Sequence, residues 1–467
     1  MTLATEQSTA TTKLLLLLGL SAAVGLVYAS IVPLQFTQVS WDTAVQRFRE
    51  IPWLNLDVYR RADWVANGIV AIPFGFLLAG AADKKRRLTV GYVLLLAAVM
   101  LFGLALIVGI EFLQIWFPPR TVSQNDILAG AIGAVLGPLL WPIFGRPLLQ
   151  FWEKVRDTSW NRLTSPRIAS WLLACYCVLV SLYSIMPLDV ILSVTEWDDK
   201  WKAGRFRLLA VGSPKASGSE YAFQLITNFG LSAARMIPLG VLVHMAQWRR
   251  AGIFVLVGFP IFVELIQAPI FTRYTVASDV LCGWTGGLVG FLLAMHSGTI
   301  LSWNRIPAVR LGLLVAAWIA TLVAFVGRFE RVRTQAEIEE AWGAFWTAPF
   351  AKYYYTSEFS AGSNFAGKLI VFAMLGFVLA NFLSWRGRSA ITPSALSKIL
   401  ALTFVCLFAA AIELLQVFLY PLIADASDIA IYGIGAAIGW FLYRTISCWD
   451  RSSNVSRTSL GSTLFRQ

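Results

Sequence analysis

The stretch that decides the fold runs from Gly109 to Gly137, GIEFLQIWFPPRTVSQNDILAGAIGAVLG, where polar residues at fixed spacing interrupt apolar sequence. Its skeleton is Glu111, Gln114, Arg120, Asp126, Gly130, Gly133 and Gly137. The same skeleton recurs without a gap at Glu264, Gln267, Arg273, Asp279, Gly283, Gly286 and Gly290. A looser third copy keeps Glu413, Gln416, Asp428, Gly435 and Gly439, with Leu422 in place of the Arg and Tyr432 in place of the first Gly. The glutamates lie 153 and 149 residues apart, so the chain reads as three copies of one unit. The units fall at 1–150, 151–303 and, in degenerate form, 304–447, followed by a tail at 448–467.

With 57% hydrophobic and 14% charged residues, the 467-residue chain belongs to the membrane class. Apolar runs long enough to cross a hydrocarbon core of about 30 Å as helix fall near 13–33, 63–82, 89–117 and 125–144 in the first copy. The second copy has them near 168–187, 222–247, 251–271 and 278–300, and the third near 309–327, 364–385, 396–421 and 427–447. The expected fold is therefore all-α, with about twelve transmembrane helices in three four-helix repeats. Four is even, so the copies share one orientation. Parallel repeats imply rotation about an axis along the membrane normal, whereas inverted repeats would favour a rocking transporter.

Lys13 and the apolar run Leu14 to Val32 have the outline of a cleaved leader. The closing residues Ser30 to Leu34 match Ser184 to Leu188 at the end of an internal span, so the segment reads as a retained first helix. Basic turns join the second and third spans: Lys84, Lys85, Arg86 and Arg87, then Arg249 and Arg250, then Arg386 and Arg388. Lys154, Arg156, Arg162, Arg305 and Arg310 in the connections carry the same sign, which places these loops and both termini in the cytoplasm. The net charge of +12 is thus a topology signal with some attraction for anionic lipid, and no compact basic domain exists for nucleic acid. Cys175, Cys177, Cys282, Cys406 and Cys448 form neither a disulfide framework nor a zinc spacing, and the only histidines, His244 and His296, lie near cytoplasmic ends. No metal site and no cofactor is expected.

Long outer loops, near 34–62, 188–221 and 328–363, are polar but rich in aromatics. Trp41, Val45 and Phe48, like Ile338, Trp342 and Phe345, recur at i, i+4, i+7, one apolar face of an interfacial helix. Ser193 with Glu196 and Thr334 with Glu337 have the capping-box spacing. Such helices anchor at the headgroup level, or act as lids over a site. At the outer end of the second helix Asp63 aligns with Asn228 and Asn364, and Asn67 with Ser232 and Lys368; Pro73 and Pro238 follow within the span.

Glu111 lies roughly 10 Å inside the outer end of its helix, and an ionisable group at such depth is a functional hypothesis by default. Gln114 shares its face, Arg120 is a forked donor able to reach Glu111 or Asp126, and Asp126 opens the next helix as a cap or as part of a site. The GxxxG pairs serve close helix packing. The convergence reads either as a polar clamp between helices or as an outer-leaflet site for a ligand with a polar head and an apolar tail. The copies differ in their cations. Copy three lacks the Arg, so Lys368 is expected to approach Glu413 in its stead, and Arg235 to share Glu264 with Arg273.

At these residues the sequence resembles the VanZ-like family of bacterial membrane proteins, whose unit has a Pro-x-Gly after a polar helix start, then Glu-x-x-Gln, a following Arg and an Asp opening the next helix. Many members carry an acidic residue three after the Arg and an Asn four after the Asp, where this chain has Ser123 and Gly130, then Val276 and Gly283. The resemblance implies an envelope protein linked by the family's name to glycopeptide resistance, and no settled reaction. The reading favoured is a non-enzymatic protein that binds membrane lipids or lipid-linked envelope molecules. An intramembrane enzyme acting on a lipid phosphate and a lipid or solute transporter are the alternatives.

Overall fold

The computed structural model describes residues 2–83, 89–118, 120–150, 166–209, 219–304, 306–355, 358–386 and 395–444. The first basic turn at 84–87, Lys154, Arg156, Arg162, Arg305, Arg388, Cys448 and the tail at 448–467 lie outside them.

The first copy comprises α1 (Thr2–Ile31), the short loop helix α2 (Trp41–Arg49), α3 (Val58–Ala82), α4 (Val90–Gln114) and α5 (Gln124–Leu140), which runs on through a π turn. The second has α6 (Pro166–Ile185), the short α7 (Val194–Lys202), α8 (Ser219–Met245), α9 (Arg249–Gln267) and α10 (Ala277–Met295), with a connecting α11 (Ser297–Trp303). In the third, α12 (Pro307–Val326), the short α13 (Gln335–Phe345), α14 (Glu358–Arg386) and α15 (Ala395–Phe418) precede α16 (Ala426–Arg444). Twelve of these helices are long and apolar enough to cross a membrane. Among the described residues the only strands are two-residue pairs: β1 (Phe206–Arg207) against β2 (Thr275–Val276), and β3 (Arg331–Val332) against β4 (Leu419–Tyr420). Both tie a loop to the turn after a third helix.

Each copy is built on its second and fourth helices, and the GxxxG glycines set how close they come. A Cβ on Gly133 would lie 2.0 Å from the Gly68 carbonyl oxygen, one on Gly286 1.9 Å from that of Ala233, and one on Gly435 2.5 Å from that of Leu369. One turn on, Gly137 meets Ile72, Gly290 meets Ile237 and Gly439 meets Ala373 through the same backbone oxygen at 2.5, 2.0 and 1.8 Å. Side chains are therefore excluded, and close backbone packing replaces the hydrophobic driving force that lipid removes. Six contacts in one register mean that the copies share one pairing, including the degenerate third.

Pro73 and Pro238 sit inside α3 and α8. The copies meet through the side that carries their long loops. Arg61 at the start of α3 pairs with Glu196 of α7 and donates to the Val190 carbonyl at 2.7 Å. Tyr28, near the end of α1, donates to the Pro349 carbonyl of the third copy's loop at 2.7 Å, and Arg120 stacks 4.3 Å over the Tyr354 ring. Since the first copy's loop side touches the loop segments of both others, all three motif ends lie on one side.

Candidate functional site

The buried glutamates share one local device. Val276 donates its amide to Glu264 Oε2 at 2.9 Å, Asp425 donates its amide to Glu413 Oε2 at 2.7 Å, and the Ser123 amide is the corresponding donor to Glu111. The interval is twelve residues each time, so each glutamate pins the end of the third helix to the chain about to enter the fourth. A turn of any other length would move the amide, which is why the spacing repeats without a gap.

The motif's Arg and Gln serve the first helix instead. The last carbonyls of a helix lack intrahelical partners, and within a membrane few groups can satisfy them. Gln114 Nε2 donates to Ser30 O and Gln416 Nε2 to Phe325 O, both at 2.9 Å, and each acceptor is the penultimate residue of its helix. Arg120 donates to Val32 O at 2.7 Å and to Ala29 O; Arg273 donates to Met186 O at 2.7 Å and Tyr183 O at 2.5 Å. A guanidinium suits this role because its fork spans two carbonyls and its charge opposes the negative helix end.

The polar residue of the second helix meets the aspartate of the fourth. Asn67 Nδ2 donates to Asp126 Oδ1 at 2.7 Å, Ser123 Oγ donates to Asp126 Oδ2 at 2.6 Å, and Ser232 is the hydrogen-bond partner of Asp279. In the third copy Lys368 forms an ion pair with Asp428, whose other oxygen accepts from Tyr353 Oη at 2.8 Å. This corrects the expected pairing with Glu413. That glutamate already receives Tyr432 Oη at 2.6 Å on its second oxygen, so the Gly-to-Tyr change supplies the missing donor. Room for the ring comes from Ala409, four residues before Glu413, where copy one has Ile107, whose side chain a Cβ on Gly130 would meet at 2.7 Å. Arg235 likewise does not share Glu264: among the described residues it forms no ion pair, and its guanidinium lies 5.5 Å from the Tyr183 ring centre. Asp63 is exposed and joins none of these bonds.

Sequence reasoning missed several members. Lys200 is fully buried and donates to the Gln267, Ala268 and Ile270 carbonyls at 3.2, 2.7 and 2.7 Å, while Arg333 does the same for Gln416, Val417 and Leu422 at 2.7, 2.8 and 2.6 Å. Burial pushes Lys200 down to about 8, with the Arg205 charge adding to it. Asn125 clasps Leu54 in the first loop, its Oδ1 accepting the amide at 2.7 Å. A charged residue within the polar loop helix carries no sign in sequence that it folds inward. The aromatic loop faces do fold as expected in copy one, where Trp41 and Phe48 each stand 5.3 Å from the ring of Phe112, the neighbour of Glu111. The Thr334–Glu337 capping box forms, and Ser193 Oγ accepts the Glu196 amide at 3.2 Å.

The copies thus end in different states. In copy one, Glu111 Oε2 and Gln114 Oε1 are buried and accept no hydrogen bond from any described residue. Among the described residues, copy two carries a cation without an ion pair, and copy three gives both oxygens of Glu413 and of Asp428 a donor from its own chain, while Asp425 Oδ2 stays buried without one. No cluster of three or more His, Cys, Asp or Glu suited to a metal occurs among the described residues.

This fold and this arrangement define a polytopic α-helical membrane protein made of repeated four-helix units, each with a polar clamp at one end. The chain belongs to the VanZ/LLP1 family, whose family model matches residues 5–145 and 311–447. The middle copy lies outside those matches yet keeps the glutamate-to-amide bond and the glycine register of the other two. No curated protein and no solved structure gives a significant match to the chain.

Proposed function

We propose that the chain is a multi-pass protein of the bacterial inner membrane, with the motif side outward, both termini cytoplasmic and unit boundaries at 150 and 303. We further propose that its first copy binds a lipid, lipid-linked sugar or lipoglycopeptide of the envelope. The observation that carries this reading is the pair of acceptor oxygens on Glu111 and Gln114, residues only 6% and 8% exposed, with no donor among the described residues. Buried acceptors without donors are costly, and sugar hydroxyls or peptide amides are donors of the right kind. Trp41, Phe112 and Trp116 pack around one another beside Glu111, an aromatic surface on which a sugar face can stack. Copy three supports the reading by contrast, since Tyr432 supplies from within what a ligand would supply in copy one.

The direct test is binding to purified protein. Lipid-linked sugar and lipoglycopeptide should each be tried for a rise in thermal midpoint, with Glu111→Gln weakening binding about tenfold, as expected for one charged hydrogen bond. Equal binding by wild type and variant would refute the assignment of copy one. Deletion of the gene, complemented with Glu111→Gln, then shows whether envelope lipid composition or antibiotic sensitivity depends on the site. Turnover of a lipid phosphate by the same protein would favour the enzymatic alternative. For orientation, Asp42→Cys should react with an impermeant thiol reagent from outside and Thr89→Cys should not.

A further inference from the structure

We propose that Arg235, Arg273 and Tyr183 of the second copy form a headgroup site for a phosphate-bearing anionic lipid in the leaflet on the motif side. The inference rests on the lipid-binding reading and names a ligand class and a second location for it. Arg235 is ten residues into the span Leu225–Met245 and is exposed, a position where an unneutralised charge is expensive. It donates no hydrogen bond and forms no ion pair among the described residues; Glu264 and Asp279 act on it only at a distance. Its guanidinium reaches the Tyr183 ring, near the end of α6, whose centre is 5.5 Å from Arg235 and 4.9 Å from Arg273. One phenol is thus flanked by two guanidiniums, and Tyr183 is 41% exposed.

The other copies show that this is not a requirement of the fold. The positions equivalent to Arg235 are Val70 and Val371, and those equivalent to Tyr183 are Ala29 and Ala324. Val70 is 47% exposed, an ordinary lipid-facing residue. Copy two has therefore replaced an apolar pair on its lipid face with a cation and an aromatic beside the shared arginine. Two of the Arg273 donors are committed to the carbonyls of α6, so its charge is fixed in place while the Arg235 fork stays open. The Arg235 fork lies against Tyr183 near the end of α6, and an open fork there matches phosphate oxygens bidentately.

Native mass spectrometry of the purified full chain tests this, with phosphatidylglycerol and phosphatidylcholine as probes. Wild type should retain phosphatidylglycerol in preference, and Arg235→Val, which restores the residue type of the other copies, should weaken that retention on the order of ten- to a hundredfold. Arg235→Lys keeps the charge without the fork and should fall between them. An unchanged preference in Arg235→Val overturns the site while leaving lipid binding at copy one standing. Absence of bound phosphatidylglycerol in every form likewise overturns the site, and leaves the binding of lipid-linked sugar or lipoglycopeptide at copy one to its own test. Inorganic phosphate should not displace the lipid; displacement by millimolar phosphate would mean that the fork takes the free anion, and would overturn the lipid assignment.

Discussion

Replacing Lys368 by Met distinguishes the pairing seen in the third copy from the one the alignment suggested. The side chains of Lys368 and Asp428 are 12% and 2% exposed, so their ion pair is largely withdrawn from solvent. Removing the amine leaves Asp428 with Tyr353 as its remaining donor among the described residues, at 2.8 Å. Breaking a buried pair from one side costs about 3–5 kcal/mol because the other charge is stranded. For a unit of this size each kcal/mol lowers the midpoint by about 2–4 °C, so a fall on the order of 6 to 20 °C is expected. The second substitution decides the matter. Lys368→Met with Asp428→Asn should recover most of the loss, whereas Lys368→Met with Glu413→Gln should recover nothing, since Glu413 already holds the Asp425 amide and the Tyr432 hydroxyl. Lys368→Asn alone should be mild, because it recreates the Asn67–Asp126 pair of copy one. Thermal unfolding in detergent reads all four variants. Rescue by Glu413→Gln and not by Asp428→Asn would refute the assignment.

Three further outcomes follow from the same geometry. Tyr432→Phe strands the second oxygen of Glu413 and should cost about 1–3 kcal/mol by thermal unfolding, and no loss would show that the hydroxyl is not a needed donor. Gly133→Ala puts a Cβ 2.0 Å from the Gly68 oxygen and should cost about 3 kcal/mol, while Gly109→Ala, with nothing within 4 Å, should be tolerated; equal midpoints would contradict the close packing of α3 on α5. Glu337 is held down to about 2 by Arg331 and by the Thr334 amide. Its contribution to capping α13 should be fully present above its ordinary value of 4.5 and be lost as pH falls toward about 2. Hydrogen exchange in α13 reads that loss, and protection that is flat over this range refutes it.

Spacing alone determined the repeat, the twelve spans and the residues at each motif end, because these depend on contacts close along the chain. A glutamate that binds the amide twelve residues ahead needs one turn length, and GxxxG needs one helix face, so both leave a mark that survives in all three copies. Partners were decided by the tertiary structure. Arg120 and Glu111 are neighbours in the motif, yet the arginine turns to the unpaired carbonyls of α1, which lie far away in sequence and become its neighbours only once α1 packs beside α4. Lys200 and Arg333 point inward for the same reason, capping the ends of α9 and α15 from loops that read as solvated. Lys368 aligned correctly with Asn67, but its partner depended on how α14 packs against α16, where Gly439 leaves no room for a side chain beside Ala373 and Lys368 meets Asp428. The polar residues stood out in the sequence as a buried cluster; which of them satisfy one another, and which buried oxygens have no donor among the described residues, required the packing of four helices.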